Sequence, residues 1–288
     1  MKLFCKTIVI FLSLSVTALA QNPKSYKVNT QYKAYWGGFT VAEITSQTTI
    51  KPGEYDISAG YTVKGLAAIF GKSENTTMAQ GIVSSSGEFR PELYESSGNF
   101  GKLTYYNRAT FDPDTLKVKS HEQELNLRED TEYIPIADEE KYGFDPMTIF
   151  LNMMTNQNFK EEYKKLYTER QFGGIFVSEQ TFICKEEKII GSERRSVFEG
   201  EAVGCAIDGK RLSGQLKSTK PRKKRKRSRV DDDQESLLWF GKMDGFDAMI
   251  PVYTEFPIGW GKVRIYLSDF SVEPIAEPIV TAENKAFN

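Results

Sequence analysis

Side-chain character alternates with a period of two through the first half of the chain. Tyr26, Val28, Thr30, Tyr32, Ala34 and Trp36 occupy every second position with mostly polar residues between them, so they share one face of a strand. Gly37-Gly38 interrupts the pattern, Phe39 to Ile50 is rich in Thr, Val and Ile, and Lys51-Pro52-Gly53 punctuates before Tyr55, Ile57 and Ala59 resume it. This is the signature of an antiparallel meander. Further strands are predicted near Glu74 to Val83, Arg90 to Ser97, Lys102 to Phe111, Gly174 to Cys184, Arg194 to Ile207, Lys210 to Leu216, Ser236 to Lys242, Met249 to Phe256 and Lys262 to Phe270.

One stretch departs from the alternation. Asp145-Pro146 supplies an N-cap followed by proline at the first helical position, and Met147, Ile149, Phe150, Leu151, Met153 and Met154 are apolar on too many sides for a surface strand. A mostly buried helix is predicted from Pro146 to about Thr155, with the methionines as core filling. A second, amphipathic helix is predicted from Phe159 to Tyr167, where Phe159, Tyr163, Leu166 and Tyr167 fall at helical spacing. About ten to twelve strands must hide their edges, which requires a barrel-like closure or two packed sheets. The expected fold is all-β and mainly antiparallel, a large barrel-like or two-sheet shell with one or two short helices, forming a single domain over residues 21–288. A lipid-embedded barrel is disfavoured because outward positions are charged and form no unbroken apolar band.

The N-terminus changes the setting. Lys2 and Lys6 precede an apolar run from Ile8 to Leu19, and Ala18-Leu19-Ala20 stands before Gln21, the layout of a cleaved secretory signal over residues 1–20. The apolar run is shorter than the roughly 20 residues that span hydrocarbon, so no transmembrane span is expected after cleavage. An exported, periplasmic chain follows. Its remaining cysteines, Cys184 and Cys205, are then either a disulfide closing a loop of about twenty residues or two buried thiols on neighbouring strands. Neither a Cys-x-x-Cys pair nor another zinc-like spacing occurs, and no metal or cofactor is expected.

Charge is even overall but uneven along the chain. The formal net charge is −1. Losing Lys2 and Lys6 with the signal brings it to −3, and without the nine basic residues between Lys217 and Arg229 it would be −12. The run Lys220, Arg222, Lys223, Lys224, Arg225, Lys226, Arg227 and Arg229 contains no acidic or apolar residue and includes Pro221, so residues 217–235 are expected to form a disordered basic loop. In an exported protein such a loop contacts anionic lipid head groups or acidic polymers, or is a solvated insertion beside Asp231, Asp232 and Asp233. Nucleic acid is not an expected partner, because export removes the chain from it and no aromatic is interleaved for base stacking.

Catalytic signals are sparse. His121 is the one histidine, in the polar stretch Lys119 to Gln123, where a solvent-facing position is expected. No Gly-x-Ser-x-Gly elbow, phosphate loop or dinucleotide fingerprint is present. Paired carboxylates among Asp112, Asp114, Glu122, Glu124, Asp138, Glu139 and Glu140 keep a glycosidase-like reading open, although 39 acidic residues make any one pair unspecific. Apolar residues give the better hint. Gly65 to Gly71 is an apolar connector carrying Leu66, Ile69 and Phe70, either a plug over one end of the core or a lip that meets a ligand. With Trp36 these are the candidate ligand-binding residues; Trp239 and Trp260 are expected in the core or at the rim.

Several segments together resemble a family. Tyr35-Trp36-Gly37-Gly38-Phe39-Thr40-Val41-Ala42 is followed by Gly65-Leu66-Ala67-Ala68-Ile69-Phe70 and Gly87-Glu88-Phe89-Arg90-Pro91-Glu92-Leu93-Tyr94. Asp145-Pro146-Met147-Thr148, Cys205, Ile250-Pro251-Val252 and Pro257-Ile258-Gly259 follow in order. This sequence is similar to exported bacterial proteins grouped as the domain of unknown function 3108. The resemblance implies a mainly antiparallel β protein of the Gram-negative envelope, with no catalytic residues to carry over and with the basic run as an insertion. The function expected is a non-catalytic envelope protein that binds a lipidic or other apolar ligand, or a partner, in a partly open β-shell. The alternatives are a carboxylate-based hydrolase of an envelope glycan and an adaptor that docks anionic surfaces through the basic loop.

Overall fold

Val28, Thr30 and Ala34 are buried on one side of strand β1 (Tyr26–Trp36), and the alternation they begin runs through the strands that follow. The structure is a computed structural model describing residues 25–65, 73–100, 103–156, 164–219, 236–258 and 261–275. β2 (Phe39–Lys51), β3 (Glu54–Val63), β4 (Ser73–Val83), β5 (Phe89–Phe100), β6 (Leu103–Phe111) and β7 (Val118–Asn126) succeed β1 as an antiparallel meander. The short β8 (Thr131–Ile134) and a 3-10 turn (Asp138–Glu140) lead to the helix α1 (Pro146–Thr155). β9 (Tyr167–Phe172), β10 (Val177–Ile190), β11 (Gly200–Ser213), β12 (Gln215–Ser218), β13 (Leu237–Lys242), β14 (Met249–Ile258) and β15 (Gly261–Pro274) complete the chain.

All strands except β8 and β12 belong to one 13-stranded sheet in the order β7-β6-β5-β4-β3-β2-β1-β15-β14-β13-β11-β10-β9, while β8 and β12 pair separately. The two outer strands of the order do not stay open. Gly143 N donates to Leu116 O and Val118 N to Lys141 O on the β7 side, each at 3.0 Å. Phe144 N donates to Arg170 O at 3.0 Å and Phe172 N to Phe144 O at 2.8 Å on the β9 side. Residues 141–144 therefore act as a wedge that ties β7 to β9 and satisfies edge groups that would otherwise template aggregation. The protein is an all-β, antiparallel, barrel-like shell.

Helix α1 lies inside this shell and packs on β4, β5, β9 and β14. Asp145 caps it, accepting from Met147 N at 2.8 Å and Thr148 N at 3.0 Å, and Pro146 occupies the first turn. Leu151 packs in a cluster with Tyr55, Ile57, Tyr94 and Phe111, whereas Ile149 and Met153 pack with Phe182, Val203 and Phe240. A helix with apolar residues all round is buried all round. Asn152 fixes its position by accepting from Phe89 N at 2.8 Å and donating to Phe89 O at 2.9 Å. The fully buried Phe172, Phe182, Phe240 and Leu151 each contribute about 1.5–3 kcal/mol of burial.

Several expected boundaries move. Residues near Arg194 are not strand; the segment before β11 is a loop that packs Phe198 in a cluster with Trp239 and Ile250. The two strands predicted around Gly209 are one, since β11 runs unbroken from Gly200 to Ser213. Tyr167, expected at the end of a second helix, begins β9, and residues 157–163 lie outside the described residues. Lys217 and Ser218, expected in the disordered loop, are paired in β12 with Glu132 and Thr131. β7 crosses the polar stretch around His121, where no strand is expected from the sequence.

Candidate functional site

Register sorts the side chains on the helix side of β1–β7 into layers. Beside the layer of Tyr26, Ile50 and Tyr55, from which the Tyr55 hydroxyl meets Thr148 of α1, run Val28, Thr48, Ile57, Ala79, Tyr94, Ala109 and His121, each paired with the next across adjacent strands. Two residues along each strand comes a second layer of Thr30, Ser46, Ala59, Thr77, Ser96, Asn107 and Gln123, in which small and polar side chains replace large apolar ones. Two further along is a third layer of Tyr32, Ile44, Tyr61, Asn75, Gly98, Tyr105 and Leu125. No Asp, Glu, Lys or Arg occupies any of these positions.

The layers differ in burial. Ile57, Ala79, Tyr94 and Ala109 are buried against the helix and its surroundings. Above them Ser46, Ala59 and Thr77, and then Ile44, Tyr61, Asn75, Tyr105 and Leu125, are only half-buried although they face the same side. Beyond Ile57 and Tyr94 the inner face is thus less tightly packed, Thr30, Ser96 and Asn107 excepted, and this region, called the chamber below, has a floor rich in hydroxyl groups and walls that carry the Tyr61 and Tyr105 rings. Polar atoms in the walls are paired with one another. Tyr61 Oη lies 2.9 Å from Ser73 Oγ, Asn75 Nδ2 donates to Tyr105 Oη, and Thr77 Oγ1 donates to Asn75 Oδ1 at 3.0 Å. Burial pushes the Tyr32 phenol up to about 12, the bond with Thr30 pulling the other way, and burial raises the Tyr105 phenol too. Both remain neutral hydrogen-bonding groups at ordinary pH.

In the floor, Thr30 Oγ1 and Ser46 Oγ are 3.0 Å apart, and Asn107 Oδ1 accepts from Gln123 Nε2 at 3.1 Å. Asn107 has no solvent exposure, and its Nδ2 has no hydrogen-bond partner. An unsatisfied buried donor costs about 1–3 kcal/mol. His121, expected to face solvent, instead faces inward in the layer beneath and meets the Phe172 ring edge-on with centroids 5.2 Å apart. Burial, then the Lys141 charge, lowers its pKa, and its buried Nε2 also has no partner. The reason is alternation: His121, Gln123 and Leu125 take the inward side of a strand whose two faces are both polar in sequence.

Trp36 stands at the rim of the chamber, half-buried, paired across the two-residue Gly37-Gly38 turn with Phe39, which is 65% exposed. Leu66, Ile69 and Phe70 lie outside the described residues, as do Trp260 and the whole basic run from Lys220 to Arg229. Residues 1–20, expected to form a secretory signal, do so as well. Cys184 and Cys205 are bonded to each other across directly paired positions of β10 and β11, and both are buried. The layered floor was not singled out in the sequence, because each strand contributes one residue and only register joins them.

Other chemistry is dispersed. Asp112 caps a turn through Asp114 N and Thr115 N, Asp138 pairs with Lys141, Glu140 pairs with Arg170, and Glu122 and Glu124 are exposed on β7. No cluster of His, Cys, Asp and Glu among the described residues could hold a metal ion. A groove of about 490 Å³ is lined by Glu186, Lys188, Trp239, Tyr253 and Glu255. There the Lys188 ammonium lies 3.6 Å from the Trp239 ring centroid, and Glu255 is held near 2 mainly by the Lys262 hydrogen bond. Within that groove Lys262 Nζ pairs with Glu255 Oε1 at 2.7 Å. No helix among the described residues is long and apolar enough to cross a membrane.

No family model matches the chain, and no curated protein matches it. Among solved structures, a beta-barrel-like protein of domain of unknown function DUF1849 from Brucella abortus is similar, with a TM-score of 0.44 and 9% sequence identity. The match covers 87% of this chain and 98% of that one. At that score and identity the likeness carries no argument about this chain.

Proposed function

We propose that the protein is an exported, non-catalytic envelope protein that binds an apolar or lipidic molecule in the open part of its β-shell. One observation carries the reading: the two inward layers of β1–β7 beyond Ile57 and Tyr94 hold aromatic, aliphatic, hydroxyl and amide groups and no acidic or basic side chain, and Ile44, Ala59, Tyr61, Thr77 and Tyr105 among them are only half-buried. A protein whose interior served only stability would pack those layers as it packs Ile57 and Tyr94 below them. Aromatic and aliphatic groups beside uncharged polar ones are the kinds of side chain that line small-molecule sites. Residues 1–20 support export, and the resemblance to the domain of unknown function 3108 family points to the same compartment.

The experiment is extraction of the protein purified from its native host, followed by mass spectrometry of the organic phase. Wild type is expected to yield a stoichiometric apolar compound. Ala59→Phe, which puts a ring into the chamber from its floor, is expected to yield none while keeping the wild-type circular dichroism spectrum. A clean extract from wild type, together with no enhancement of Nile red fluorescence on titration, overturns the reading.

A further inference from the structure

We propose that the groove over β10, β13 and β14, on the face of the sheet opposite the disulfide, binds a small zwitterion whose ammonium pairs with Glu186, whose acid group pairs with Lys188 and whose apolar part lies against Leu237 and Pro257. The site is separate from the chamber and goes beyond the binding reading above.

Two ladder irregularities bring these side chains to one face. Cys184 pairs with Cys205, but the register of β10 then skips Lys185 and sets Glu186 opposite Gly204 and Lys188 opposite Ala202. By simple alternation Glu186 and Lys188 would share the face of Cys184; the bulge turns them to the other one. A second bulge, which skips Val252, lies beside the Trp239–Tyr253 pair. Bulges re-aim side chains and recur next to functional sites. Gly204 shapes the floor: a Cβ there would lie 2.9 Å from the Trp239 ring, so a side chain would push the indole off β11. The Lys188 ammonium rests on that indole, 3.6 Å from its centroid, and stands 5.1 Å from the centroid of Tyr253. The groove these groups line has a volume of about 490 Å³, within the range of about 300–1,000 Å³ usual for small-molecule sites.

Charge pairing decides the class of ligand. Glu255 is already satisfied, accepting from Lys262 Nζ at 2.7 Å, Tyr253 Oη at 2.9 Å and Arg264 Nε at 3.2 Å. The side chains of Glu186 and Lys188 form no ion pair or hydrogen bond among the described residues, with each other or with any other group. Burial lowers the Lys188 pKa although the Glu255 and Glu186 charges raise it, so the ammonium is short of counter-charge where it stands. The groove thus offers one unpaired charge of each sign, two positions apart and about 6.6 Å along the strand. An acid alone leaves Glu186 unpaired and repelled, and an amine alone does the same to Lys188. A ligand with both groups on one short chain pairs both. Leu237 and Pro257, half-buried on the same face, supply an apolar wall beside them. Two sources share this chemistry: an amino acid with an apolar side chain, and the phosphoethanolamine head of a lipid.

The test is isothermal titration calorimetry of the full chain with L-leucine and its single-charge relatives: 4-methylpentanoate, which lacks the ammonium, and 3-methylbutylamine, which lacks the carboxylate. Glycerophosphoethanolamine stands for the lipid head. The preferred zwitterion is expected to bind at least about tenfold more tightly than either single-charge relative. Leucine ahead of glycerophosphoethanolamine assigns the groove to an amino acid, and the reverse order assigns it to a lipid head. Lys188→Met and Glu186→Gln are each expected to weaken binding of the preferred zwitterion at least about tenfold, whereas Lys242→Gln, outside the groove, is expected to leave it within about twofold. Equal affinity for zwitterions and single-charge relatives, variants at Lys188 and Glu186 that bind as wild type does, or no binding of either zwitterion up to about 10 mM overturns the inference. Extraction and Nile red report on the chamber, so the two readings stand or fall separately.

Discussion

Asp145 accepts two backbone hydrogen bonds at the start of α1 and has no access to solvent. Thr148 Oγ1 donates to its second oxygen, so the 2.5 Å contact between Tyr55 Oη and Thr148 Oγ1 must have Tyr55 as donor. The helix cap is thereby tied to β3 through a chain of two hydroxyls. Burial raises the Asp145 carboxyl from 3.8 to about 6, against the lowering effect of the bonds from Thr148 and Met147. The folded state then holds the proton more tightly than the unfolded chain does. Stability from this group is full below about pH 4 and is lost as pH rises through about 6, a fall of up to about 3 kcal/mol. Asn caps helices nearly as well as Asp. Urea denaturation of wild type and Asp145→Asn across that interval is expected to show a decline in wild type relative to the variant. Parallel curves would mean that Asp145 does not titrate differently on folding.

At the scale of elements, the disulfide and the strand boundaries follow from different kinds of information. Cys184 and Cys205 are separated by 21 positions and lie opposite one another in the ladder, facing Phe182, Val203 and Met153 in the core. Replacing both by alanine is expected to lower the free energy of unfolding by about 2–4 kcal/mol, read from urea midpoints at constant m-value. A loss below about 1 kcal/mol would show that the β10–β11 ladder holds the hairpin without it. The first strands were legible because Tyr26, Val28 and Ala34 of β1 and Tyr55, Ile57 and Ala59 of β3 alternate with mostly polar residues, and β2 is rich in Thr, Val and Ile. Helix α1 was legible from Asp145-Pro146 and its all-round apolar run. β7 was not, because its inward residues belong to the polar floor and the layers beside it, so no alternation marks it. β9 was hidden by the helical spacing of Leu166 and Tyr167, a local preference that pairing of Tyr167 with Phe182 overrides. Of the candidate site, Trp36 could be named because a rim aromatic beside two glycines stands out in sequence. Thr30, Ser46, Thr77 and Asn107 could not, since neither their spacing nor their type distinguishes them until seven strands are in register.

For the whole molecule, the decisive feature is that a meander of neighbours returns to meet itself. Successive strands pair with little loop to close, yet joining β7 to β9 requires the wedge at 141–144, and the wedge depends on Gly143. Its φ is +123°, and a Cβ there would lie 2.6 Å from Arg170 O. Gly143→Ala must either strain that backbone, at about 1–3 kcal/mol, or move Phe144 off β9. The second course frees Phe172 N and Val118 N, which are bonded to Phe144 O and Lys141 O, and leaves two sheet edges unpaired. Native-state hydrogen exchange is expected to speed up at the Phe172 and Val118 amides in the variant, with the amides of Ile57 and Ala79 in the middle of the sheet unchanged. Acceleration spread evenly over the sheet would show a global loss of stability instead of an opened seam. No acceleration would show that the polar bonds beyond the wedge, Gln123 Nε2 to Gly174 O at 3.0 Å and Tyr133 Oη to Ile175 O at 2.9 Å, suffice to close the shell. Because those bonds border the same floor layer that holds Asn107, closure and the character of the chamber are built from one set of residues, and an opened seam is expected to weaken Nile red binding as well.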